Sequence, residues 1–254
     1  MQQLPGLVRH GSRNALRRLR LGLVDSFAST MGADLIKALQ SSANQVMVWS
    51  GLTPFLYDSL VLRQIDMAIT ADAMNDRDDF EVLTLFQEPY VLVQPCQDGK
   101  AACVDMVRLA ASLPLIRYSS RSSIGKQVDR QLRRLGIDAP RRFEFDATDP
   151  LLNMVVAGLG WSITTPLCLL QARYPPGSFH VAPLPGPGMS RSILLMAWRN
   201  ELGTLPATTA VLVQELLRKH YFRQVLTIAP WLTLGDFLPE DSRRRDSSVS
   251  KALR

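Results

Sequence analysis

LRLGLVDSFAST, Leu19 to Thr30, runs from an apolar strand through a polar corner into the start of a helix. The corner carries Asp25, Ser26, Ser29 and Thr30 where a phosphate-cradling loop would carry glycines. Arg20–Val24 reads as a strand buried on both faces, and from Thr30 onward Met31, Leu35, Ile36 and Leu39 recur at helical spacing. A second unit repeats the pattern. Val46–Trp49 is a strand, Ser50–Pro54 a turn with Pro54 at a first helical position, and Phe55, Leu56, Leu60 and Arg63 continue a helix. With Met67–Thr70 as a third strand, short connections of this kind imply right-handed βαβ crossovers and a mainly parallel sheet.

Further along, Val82–Phe86 and Tyr90–Gln94 read as two strands on either side of Gln87-Glu88-Pro89, and Val104–Ala111 as a short helix. A second βα series starts at Leu113–Tyr118. Its helix begins at Ser122 or Ser123, buries Ile124, Val128, Leu132 and Leu135, and stops at Gly136. Arg142–Phe145 is a strand, Thr148 or Asp149 caps the next helix, Trp161–Thr164 is a strand and Pro166–Ala172 a helix. Phe179–Ala182 and Ile193–Trp198 are strands, and Leu205–Tyr221 is a helix; from Thr227 the chain reads as irregular. The fold class is therefore α/β, with two Rossmann-like blocks sharing a cleft. The expected division is a basic linker remnant over 1–19, one subdomain from 20–96 with 197–222, a second over 97–196, and a partly disordered C-terminal extension over 223–254.

Bulk properties narrow the function. Of the 254 residues, 46% are hydrophobic and 20% charged, as in an ordinary globular chain. The net charge of +6 is concentrated at the ends, +5 in residues 1–20 and +2 in 238–254, leaving the body at −1. A near-neutral body argues against a groove that tracks a phosphate backbone. No apolar run approaches the roughly 18 residues a membrane span needs and no secretory h-region opens the chain, so the expected location is the cytoplasm, without a membrane partner. Cys96, Cys103 and Cys168 form no metal or redox motif, and no metal or other cofactor is expected.

Enzyme patterns fail as well. SIGKQ at 123–127 lacks the upstream glycine and the terminal Ser/Thr of a phosphate loop, and AGLGWS at 157–162 ends a helix instead of opening one. No G-x-S-x-G occurs, and His10, His180 and His220 stand apart. Asp146 and Asp149 read as turn and cap rather than an acid/base pair, so no catalytic residue is assigned. What does recur is hydroxyls at strand-to-helix corners, at the carboxyl ends of strands where open α/β sheets bind ligands. Helix N-termini there offer free N–H groups and partial positive charge, which suits a small anion. Tyr118 and Trp161 either line the cleft or pack between sheet and helix, with the core expected for Trp161, and Arg117 and Arg121 either clamp a carboxylate or stand as solvated charges.

The segments QVMVWSG, LVLRQIDMAIT, EPYVLVQP, LPLIRYSS, DPLLNMVVAGLGWSITTP and ILLMAWR, in that order after LRLGLVDSF, resemble the effector-binding domain of LysR-type transcriptional regulators. Gln64 stands where that family often has glycine and Thr165 where it has leucine. The resemblance implies a type-2 periplasmic-binding-protein-like fold, two subdomains joined by two crossover strands and closing on a small effector. It points to Ser26, Ser29, Ser50, Thr53, Ser119, Ser120 and Thr148 as ligand-binding residues. It also implies a homodimer or tetramer that controls transcription through oligomer geometry, with a carboxylate metabolite as the expected effector. The family's winged helix-turn-helix does not fit in the residues before Leu21, so DNA contact is expected only through a head this chain lacks. A stand-alone solute-binding protein without DNA-binding activity is the alternative.

Overall fold

The computed structural model describes residues 16–72, 78–96, 104–186 and 188–238. The expectations for residues 1–15, Cys103 and the tail from 239 lie outside the described residues. The first half opens with β1 (Leu19–Val24), α1 (Asp25–Thr30), α2 (Gly32–Leu39), β2 (Val46–Gly51), α3 (Thr53–Val61) and β3 (Met67–Ala71). β1 pairs in parallel with β2 and β3, as the βαβ reading requires. Five of the six residues of β1 are buried, because α1 and α2 cover one face and α3 the other. Gly22 permits the closeness of α3: a Cβ there would lie 2.5 Å from Ile65 Cδ1 and 3.1 Å from Leu56 Cδ2.

β4 (Phe80–Pro89) and β5 (Val91–Pro95) carry the chain into the second half, and β9 (Phe179–Pro183) and β10 (Ser190–Trp198) return it. β10 lies between β3 and β4, antiparallel to both, which completes a five-stranded sheet in the order β2-β1-β3-β10-β4. In the second half α4 (Met106–Ser112), β6 (Ile116–Tyr118), α5 (Ser123–Arg134), β7 (Phe143–Phe145), α6 (Thr148–Val156), β8 (Ser162–Thr164) and α7 (Pro166–Ala172) surround the strands β8-β5-β9 and the parallel pair β6-β7. A parallel bridge between Leu115 and Trp161 joins the two sets. Each half has its own apolar core, one around Phe27, Leu35, Ile69 and Leu195, the other around Val91, Ile116, Leu152 and Trp161. This is the α/β architecture of two subdomains joined by two crossover strands.

Three local readings change. Helical spacing from Thr30 hid a break at Met31, which closes α1 with its N–H on the Phe27 carbonyl before α2 begins. Gln87-Glu88-Pro89 does not lie between strands but belongs to β4, because β10 pairs with β4 from Ser190 opposite Pro89 to Trp198 opposite Phe80, with a bulge at Leu85. The stretch after Thr227 is not irregular. Beyond α8 (Leu205–Leu216) and a π-helical turn (Leu217–Tyr221), α9 (Phe222–Ile228) and α10 (Leu234–Phe237) follow, and Val225, Phe237 and Leu238 are buried in the first core.

Candidate functional site

The corners of both halves meet around one cleft. Val24, Asp25 and Ser26 enter from the β1–α1 corner and Leu52 with Thr53 from the β2–α3 corner. Across from them stand Tyr118, Ser122 to Ile124 at the start of α5, and Asp146 to Thr148 at the start of α6. Ala71, Cys168 and Arg191 close the floor, and the space including its open mouth is about 440 Å³.

Of the residues chosen from sequence, Ser26, Thr53 and Thr148 line this cleft. None of the three caps its helix. The Thr53 hydroxyl donates to the Ala71 carbonyl at 3.0 Å and accepts the Ala71 N–H at 3.1 Å, tying α3 to β3. Thr148 Oγ1 accepts from the Tyr118 hydroxyl at 3.2 Å, and Thr164 Oγ1 stands 2.8 Å from the same hydroxyl. Ser26 Oγ accepts from Arg191 Nη2 at 3.0 Å, which leaves its own O–H free to donate.

The other four lie outside the lining. Ser29 and Ser50 are exposed, although Ser50 hydrogen-bonds the cleft residue Asp25. Ser119 and Ser120 precede the helix by too many residues: α5 starts at Ser123, so Ser122 and Ser123 take the cleft position. Ser119 instead donates to Asp146 at 2.5 Å, and the Ser120 N–H donates to Glu144 at 2.9 Å. Arg117 is buried and paired with Asp129 at 2.5 Å, Arg121 pairs with Asp146, and Trp161 sits in the core with its indole N–H on the Leu113 carbonyl.

Arg191, which sequence reasoning passed over, organises the floor. Its side chain is 1% exposed and Nη2 lies 2.7 Å from Glu88, itself 0% exposed. Burial disfavours the guanidinium charge, but Glu88 together with Cys168 and Tyr90 outweighs it and holds the pKa above its usual value. Glu88 also accepts the Leu167 N–H of α7 at 2.8 Å. One ion pair thus links β4, β10, α1 and α7. The available signal was a charged residue flanking the wholly apolar ILLMAW of a central strand.

Helix ends supply the remaining chemistry. α3 begins after Leu52 and α6 after Ala147, neither of which provides a side-chain cap. Their first turns therefore meet the cleft from opposite halves without a side-chain cap from the residue before them. α5 is capped, Ser122 Oγ accepting the Gly125 N–H at 3.0 Å. Asp25 is raised above the ordinary carboxylate range by burial, which the Ser50 hydroxyl offsets only in part.

Comparison with known proteins bears on the fold and the family. The uncharacterized HTH-type transcriptional regulator YusT of Bacillus subtilis (strain 168) is 29% identical over 141 residues, 56% of this chain and 45% of that protein. The chain thus matches less than half the length of that curated relative. Two solved structures share the fold: the reduced form of the regulatory domain of OxyR2 from Vibrio vulnificus and the effector binding domain of QuiR in complex with shikimate. The first superimposes with a TM-score of 0.68 at 17% identity, covering 80% of this chain and 98% of the other. The second gives 0.66 at 17%, covering 81% and 99%. The model of the LysR substrate binding domain matches residues 12–220, most of the described fold, and on that match this chain belongs to the LysR substrate-binding domain family.

Proposed function

We propose that this domain binds a small anionic metabolite in the cleft between its halves and passes cleft occupancy to transcription through the geometry of a homodimer or tetramer. The family is one of ligand-binding regulatory domains and not of enzymes. The observation that carries the anion is the pair of helices α3 and α6, whose first turns meet the same cleft with apolar residues, Leu52 and Ala147, at their caps. Caps are normally Ser, Thr, Asp or Asn, because the first N–H groups need an acceptor. Where the protein supplies none, a ligand carboxylate serves, favoured by the partial positive charge of two helix ends.

Oligomer control is the second part of the reading. β2 is one of the two outer strands of the five-stranded sheet and exposes Met47 and Val48, each at 36%. A second copy meeting that edge would feel the two halves move as the cleft closes. DNA would be reached through a helix-turn-helix segment like the one named in the Bacillus relative.

The test is to give the helix its own anion. Ala147→Asp places a carboxylate at the cap of α6, where it engages the donors a ligand would use. In a thermal-shift screen of small carboxylates, a true ligand at one hundred times its Kd stabilises the wild-type fold by about 2.7 kcal/mol. Ala147→Asp should abolish that response while leaving the free domain as stable or more so. An unchanged ligand response in this variant defeats the proposal.

A further inference from the structure

The cleft holds one charge with no counter-ion among the described residues. Arg191 is engaged by Glu88, and Asp146 by Arg121. Asp25 lines the same space, half-buried, and no ion pair reaches it; the hydroxyl of Ser50 is the side-chain hydrogen bond it has. A purely anionic ligand would bring a second negative charge beside this carboxylate in a setting less polar than water, where repulsion is stronger than in bulk solvent. A positively charged group on the ligand removes that conflict and gives Asp25 the partner it lacks.

We propose that Asp25 receives a protonated amine of the ligand, so that the effector class is a small amino acid-like zwitterion, its carboxylate at the first turns of α3 and α6 and its ammonium at Asp25. The proposal rests on the anion reading above and adds the second charge. The two halves of the ligand then match two kinds of wall: uncapped backbone donors from α3 and α6, and one side-chain acceptor from the β1–α1 corner. The free O–H of Ser26, next in sequence to Asp25, supplies a donor between them. Asp25 also rejects simple carboxylates by the same charge that accepts an amine, so it sets specificity as well as affinity.

Three matched sets of probes decide the matter by calorimetry on the intact chain: α-amino acids, the same acids without the amine, and the same amines without the carboxylate. The expected result is binding by members of the first set alone. Asp25→Asn should weaken the best amino acid about 10- to 100-fold, the range for loss of a hydrogen bond to a charged group. The same substitution should strengthen the amine-free acid by removing the repulsion. Asp25→Ser, smaller and unable to strain the corner, serves as the second variant and should behave alike. Equal binding of acids with and without the amine, or amino-acid affinity within about twofold of wild type in both variants, overturns the assignment of Asp25 but leaves the anion reading standing. Binding by amines alone, or by no probe in any set, overturns both.

Discussion

Arg191 and Glu88 meet inside the protein with almost no contact with water, and the stability of such a pair depends on both members being present. Arg191→Met should strand the Glu88 charge and cost about 3–5 kcal/mol in urea denaturation. Combined with Glu88→Gln the loss should be smaller than the two single losses added together, because neither charge is then left alone. Asp25 gives a pH signature of opposite kind. Its carboxyl holds its proton more tightly folded than unfolded, so as pH rises past the ordinary value of 3.8 the unfolded chain ionises first and stability falls. Asp25→Asn should therefore raise Tm at pH 7 and leave it unchanged near pH 3, as scanning calorimetry would measure. A hydroxyl at a corner was a partial guide at this scale: Ser26, Thr53 and Thr148 line the cleft, while Ser29, Ser50, Ser119 and Ser120 do not. For Arg191 the sequence offered the charge beside ILLMAW but not its partners, since Ser26 is 165 positions away and only the closed topology brings them together.

The helices that face the cleft are held by close approach rather than by long contact. Gly125, in the first turn of α5, sits so near the preceding corner that a Cβ would lie 2.0 Å from the Ser119 carbonyl oxygen. That obstacle is backbone and cannot rotate away, so Gly125→Ala should cost about 1–3 kcal/mol and displace the start of α5 from the cleft, with loss of ligand response. Gly32→Ala is the control: its nearest neighbour would be Leu23 Cδ1 at 3.6 Å, an ordinary contact, and stability should change by less than about 1 kcal/mol in the same denaturation assay. Element starts and stops were largely readable. Ser122 caps α5, and Gly136 after it adopts a left-handed conformation, φ 64°, as its position past the helix end requires. Local chemistry misled where a distant partner claimed the residue. Thr148 looked like a cap, but its hydroxyl belongs to Tyr118 and the cap falls to Ala147. Gln87-Glu88-Pro89 read as a gap between strands, but β10 draws it into a ten-residue strand. α9 and α10 are short segments whose order comes from burial of Val225, Phe237 and Leu238 in a core built elsewhere in the chain.

Across the whole molecule, the order of strands and helices sufficed to foresee two subdomains, because short connections and crossover handedness leave few ways to arrange them. How those subdomains are held against each other was not readable, since it depends on pairs such as Asp72 and Gln127, 55 residues apart. Asp72 follows β3 in a left-handed conformation, φ 66°, and its carboxylate accepts the Ser192 N–H of β10 at 3.3 Å. Gln127 on α5 donates to the same carboxylate and accepts from the Tyr90 hydroxyl, on the crossover strands, at 2.9 Å. This relay ties the end of β3 to α5 and to the junction of β4 and β5, so its loss is expected to free the angle between the halves. Gln127→Ala removes both bonds and should shift the free protein toward more open forms. Small-angle X-ray scattering should then show a larger radius of gyration without ligand and the wild-type value with it. Ligand affinity should fall about tenfold, because the closed form that binds becomes a smaller fraction of the population. Asp72→Asn keeps one acceptor oxygen for the two donors that Gln127 and Ser192 supply, so both measures should move in the same direction as in Gln127→Ala but by less. An unaltered radius in Gln127→Ala would mean that apolar packing, and not this relay, sets the closure.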